Sequence, residues 1–122
     1  MIKVKATREG LYGARTATGY LIQHDSWFVA LPSTRALHRI VHIWRDVDDN
    51  PDGTGFTAPV LDVGPWNTDD VKYVFDGERP LAERGISLSG KSNPNGAGID
   101  LSDGVWHALG LVDNGFVWWE FA

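Results

Sequence analysis

The chain has 122 residues and an apolar share of 43%, the size and make-up of a single domain over residues 1–122 with one core. It carries 11 Lys and Arg against 16 Asp and Glu, a formal charge of −5, and its basic residues are scattered; a nucleic-acid binder would need them gathered on one face. Cysteine is absent, which excludes disulfides, thiolate metal sites and a Cys nucleophile.

The opening "MIKVKAT" alternates Ile2, Val4 and Ala6 with Lys3, Lys5 and Thr7, the period of a strand with one polar face. The stretch "MIKVKATREGLYG" has no apolar h-region, so no signal peptide is expected, and no segment is long enough to span a bilayer. "REGLYGARTATG" carries three glycines and reads as a loop. "WFVALP" (27–32) is a short apolar strand stopped by Pro32, and "STRALHR" (33–39) allows one helical turn. "IVHIW" (40–44) and "FTAPVLDV" (56–63) are further strands, joined by the turn-rich "RDVDDNPDGTG". The acids of that turn resemble an abbreviated calcium loop, but Thr57 stands where the closing Glu belongs, so a solvated hairpin tip is expected.

Residues 64–99 are long and irregular, which points to a functional loop, with "ERPLAERG" forming a turn of helix stopped by Gly85. "IDLSDGVWHALGL" (99–111) gives the clearest helix signal: Ser102 as N-cap, Leu101 and Trp106 as a hydrophobic staple, Gly110 as the stop. In "FVWWEF" alternation puts Phe116, Trp118 and Glu120 on one face and Val117, Trp119 and Phe121 on the other. Five or six short strands, one or two short helices and no βα alternation favour a small β-barrel.

Four segments in order, "YGARTATG" (12–19), "VALP" (29–32), "VLDVGPW" (60–66) and "GIDLSDGVWHALGL" (98–111), resemble the rare lipoprotein A-like double-psi β-barrel family, which is related to expansins and family-45 endoglucanases. The resemblance implies a mainly β, six-stranded double-psi barrel with one or two short helices, a long loop, and a groove across one side. It implies polysaccharide as partner, peptidoglycan glycan strands in particular, at the cell wall. Muralytic members carry a catalytic His three residues before the Leu-Pro pair; here that position is Phe28. Asp25 is the acid nearest to their upstream Asp.

Asp62 and Asp100 are the candidate catalytic carboxylates. Breaking a glycosidic bond requires a proton on the leaving oxygen and a stabilised oxocarbenium-like centre, and carboxyl groups supply both. Asp100, expected to be partly buried beside Leu101 and Trp106, is the candidate proton donor. Each has a plainer reading too: Asp62 before Gly-Pro as a turn-former, Asp100 as a capping carboxylate ahead of Ser102. Trp66, Tyr73 and Tyr12 are candidate sugar platforms, with Thr16 and Asp25 as further substrate contacts. The four histidines share no metal-ligand spacing, and no metal or cofactor is expected. The functional expectation is a peptidoglycan-binding or peptidoglycan-cleaving barrel, the cleaving form being a lytic transglycosylase. The alternatives are a non-catalytic expansin-like module and a phage-borne or structural accessory protein on the same scaffold.

Overall fold

The computed structural model describes residues 1–88, 95–113 and 115–122. The strands are β1 (Ile2–Glu9), β2 (Val29–Leu31), β3 (Ile40–Val47), β4 (Asn50–Pro51), β5 (Phe56–Val63), β6 (Ile99–Ser102) and β7 (Gly115–Phe121). Two short helices, α1 (Val71–Asp76) and α2 (Asp103–Ala108), and 3-10 turns at Thr34–Ala36 and Leu81–Arg84 complete the architecture.

The sheet runs β4-β3-β5-β2-β6-β1-β7, and β3 pairs with β7, so six strands close into a barrel with β4 as an added hairpin strand. β1 is parallel to β6 and β2 is parallel to β5, while the other four contacts around the barrel are antiparallel. This is the fold class expected from the sequence: a mainly β, six-stranded double-psi barrel with short helices. Closure removes the exposed edges that so small a sheet would otherwise present.

Period-2 alternation decides which side chains fill the barrel. Val4 and Ala6 of β1, Val29 and Leu31 of β2, Ile99 and Leu101 of β6, and Val117 and Trp119 of β7 all join the core. Both candidate staple residues, Leu101 and Trp106, are buried there. The residues just ahead of α2, Ile99–Ser102, form a strand that the sequence did not announce, because their backbone pairs with β1 and β2. Ser102 precedes α2 as foreseen, but its hydroxyl accepts from the Phe28 amide instead of capping the helix. Within the long connection, Gly85 ends the Leu81–Arg84 turn at φ 71°, as expected; part of that connection (89–94) lies outside the described residues.

Tyr73 requires a correction. It was expected on a sugar-binding surface, yet α1 turns it into the core, where it is 1% exposed. Its hydroxyl donates to the Gly98 carbonyl at 2.8 Å and accepts from Trp119 Nε1 at 2.9 Å. Burial pushes the phenol pKa up. Gly98 is needed for this closeness, since a Cβ there would stand 2.8 Å from the Tyr73 hydroxyl oxygen.

Candidate functional site

Strict alternation along β5 would point Asp62 inward with Ala58 and Val60. A bulge changes that. Val29 pairs with Val60, but the next residue of β2, Ala30, pairs with Asp62, so β5 carries one extra residue. The extra residue turns Asp62 to the outer wall of the barrel. Ala30 also pairs with Asp100 of β6, and Asp100 pairs with Thr7 of β1. Asp62, Ala30, Asp100 and Thr7 thus form one row across four neighbouring strands. The two Asp backbones are two strand spacings apart, about 10 Å, with only the Ala30 methyl between them.

The row is hydrogen-bonded from both ends. The Thr7 hydroxyl donates to Asp100 Oδ1. Asp62 Oδ1 accepts from the amides of Ala17 (2.9 Å) and Val63 (3.0 Å). The Ala17 contact brings the loop of residues 10–22 against the wall, and Thr18 secures it by bonding the Leu61 carbonyl through both its amide and its hydroxyl. Beyond β5 the chain crosses at Gly64, where a Cβ would lie 3.5 Å from Asp100 Oδ2, and Gly64 N donates to Leu31 O. At φ +145° this position also disfavours any side chain.

Burial raises the Asp100 pKa to about 6; the Thr7 hydrogen bond opposes the rise and the Asp62 charge adds to it. A carboxyl at that value has both protonation states within reach near neutral pH, as acid–base work requires.

A third carboxyl belongs to the cluster and was not foreseen. Glu9 follows Thr7 by two residues on the outward side of β1, and its carboxyl comes within hydrogen-bonding reach of Asp62. Burial, then the Asp62 carboxylate, then Asp100 push its pKa up to about 9. The available signal was the alternation of Lys3, Lys5, Thr7 and Glu9, which puts Glu9 on the same face as Thr7. Nothing local indicated that β5 and β6 would bring two more acids beside it.

Trp66 stands on the rim, 39% exposed, with its Nε1 donating to Asn95 Oδ1 at 3.1 Å. Lys5, two residues before Thr7 on the same face, donates to the Asn95 carbonyl, so Asn95 ties an indole and an ammonium to one corner. Phe28 precedes Ala30 by two residues, is fully buried, and meets Tyr20 edge-on.

The remaining expected contacts do not join the row. Thr16 is 6% exposed, its hydroxyl occupied with Thr18 and the Tyr20 amide, so it is a loop-forming residue and not a surface contact. Tyr12 is 40% exposed, but it stacks on His24 at 3.7 Å and receives a hydrogen bond from Arg8. Arg8 pairs with Asp103 at the start of α2, so Tyr12 belongs to a second patch there. Asp25 lies in the exposed turn beside His24. Among the described residues, no group of three or more His, Cys, Asp or Glu is disposed to hold a metal ion.

A hollow of about 660 Å³ lies elsewhere, between α1 and the Leu81–Arg84 turn. Two of its carboxylates are engaged: Asp69 with Ser33 and Arg35, Asp70 with the Leu81 amide. Chemistry favours the acidic row, where burial and neighbouring charge push the Glu9 and Asp100 carboxyls up.

Fold and site together define a closed double-psi barrel with an acidic cluster on its outer wall. The chain belongs to the family described as a domain of unknown function (DUF8814), whose model matches residues 1–80. That span holds Thr7, Glu9, Asp62 and Trp66 and ends before Asp100. No curated protein matches the chain.

Proposed function

We propose that the outer wall of this barrel engages cell-wall glycan, and that Asp100 and Asp62 act on peptidoglycan as a lytic transglycosylase pair. The observation that carries this reading is the alignment of Asp62 and Asp100 across Ala30, on one face, with Trp66 at the rim. The resemblance to rare lipoprotein A-like barrels rests on the segments around these same residues.

The chemistry follows from the charges. Protonated Asp100 gives its proton to the bridging O4 as the C1–O4 bond breaks, and the leaving sugar departs with a 4-hydroxyl. Ionised Asp62 stabilises the positive charge building at C1. Asp100, now a carboxylate, takes the proton of the muramic 6-hydroxyl while O6 bonds to C1. The 1,6-anhydro product forms, Asp100 is protonated again and no water is consumed.

Trp66 would stack on a sugar ring near the acids. Its replacement by Ala is expected to weaken sacculus binding by about 10-fold, or about 1.4 kcal/mol. Co-sedimentation with purified sacculi measures this, and unaltered binding removes Trp66 from the site.

Phe28 favours a second reading, a glycan-binding module without catalysis. Muralytic relatives carry a histidine at that position, and here the side chain is apolar and fully buried. Mass spectrometry of digested sacculi separates the two readings: 1,6-anhydro products support the enzyme, and pull-down without products supports the module.

A further inference from the structure

We propose that Glu9 is a positioning residue for the acidic pair: its carboxyl and that of Asp62 share one proton, which Glu9 donates, and this bond fixes the Asp62 side chain beside Asp100. The bearing on glycan chemistry rests on the reading above; the assignment of the proton does not.

The geometry points to this in three ways. Glu9 Oε2 is buried and takes no hydrogen bond from any N–H or O–H of the described residues. The neighbour of the carboxyl is another acceptor, Asp62, whose Oδ1 already receives two backbone amides. Two bare carboxylates so placed repel each other, whereas one proton between them turns the contact into a charge-assisted O–H···O⁻ bond. With Asp62 filled from the backbone side, Glu9 is the donor of that bond.

The surroundings offer Glu9 no countercharge among the described residues. Asp62 faces it from β5 and Asp100 from β6, both acidic. The 10–22 loop brings the Ala17 amide to Asp62, while its Arg15 is turned to the Gly19 carbonyl. On β1 itself, Arg8 is committed to Asp103 and Lys5 to the Asn95 carbonyl. Burial among acids therefore favours the neutral form, in keeping with a pKa raised to about 9. A neutral Glu9 leaves Asp100 with one ionised neighbour instead of two, so its proton is held near pH 6 and remains transferable.

The sign of the stability effect follows. Between its ordinary value of 4.5 and about 9, folded Glu9 holds a proton that the unfolded chain has lost. Stability therefore falls as pH rises through that window and levels off above it. Asp100 adds a similar slope only up to about pH 6, so the interval from 6 to 9 reports Glu9.

The test uses the full chain without glycan, labelled with 13C at the Asp and Glu carboxyls and titrated by NMR from pH 4 to 10. Glu9 should be protonated at pH 7 with a midpoint near 9, and the Glu9→Gln variant should lack that signal and keep the Asp100 midpoint near 6. The urea midpoint of the native chain should fall from pH 6 to 9, and that slope should be lost in Glu9→Gln. A Glu9 midpoint near 4.5 overturns the proposal. So does a fall of one unit or more in the Asp100 midpoint of the variant, or an unchanged urea slope. If the variant does not fold, the native titration alone decides. If the titration succeeds and sacculi are neither bound nor cut, the glycan reading falls and the Glu9 assignment stands.

Discussion

Asp100→Asn is expected to lower the release of 1,6-anhydro products from purified sacculi by at least about 100-fold, the lower end of what a positioned acid–base group contributes. Asparagine matches the shape of aspartate and can still accept from Thr7, but it cannot deliver and reclaim a proton. The pH dependence has a definite sign. The donor must be protonated, and the Asp100 pKa is about 6, so the native rate should fall about tenfold per pH unit above that value. A yield that Asp100→Asn leaves intact would remove Asp100 from the chemistry. No product from the native chain, with sacculi still retained, would leave the binding module as the function.

The largest stability effect among conservative changes is expected at Tyr73. Tyr73→Phe deletes one oxygen and leaves two fully buried partners unmatched, the Gly98 carbonyl and the Trp119 Nε1–H. Each such group costs about 1–3 kcal/mol when nothing replaces its partner. Urea unfolding should show the loss as a lower midpoint with an unchanged slope. The substitution also tells a core position for this residue from a surface one. A sugar platform on the surface would lose glycan binding and keep its stability; a loss below about 0.5 kcal/mol, the range of surface substitutions, would contradict the core assignment.

These two residues mark the limits of what local sequence reveals. Tyr73 follows an acidic, irregular stretch, "NTDDVKY", with no period to show which way it faces. Only the packing of α1 over the end of the barrel, against Trp119 and Gly98, turned it inward. Asp100 was legible because "GIDLS" sets a carboxylate just ahead of a helix start. The strand in that segment was less clear: its four residues pair with β1, more than ninety positions away, and with β2. Thr16 and Asp25 were placed by family pattern, and the loop that carries them folds on its own hydrogen bonds.

By itself the sequence determined the class of fold. Frequent turn residues and period-2 apolar runs require short strands, and a chain of this size with one core closes them most economically as a barrel. It also linked Asp62 with Asp100, since the segments "VLDVGPW" and "GIDLSDGVWHALGL" that resemble the barrel family each carry one of them. Only the tertiary structure decided that they share a face. Alternation alone aims Asp62 into the core, and the bulge at the step from Val29 to Ala30 reverses it. The tertiary structure likewise made Glu9 a member of the site, because the charge felt by a buried carboxyl comes from neighbours across the barrel, which the local sequence does not specify.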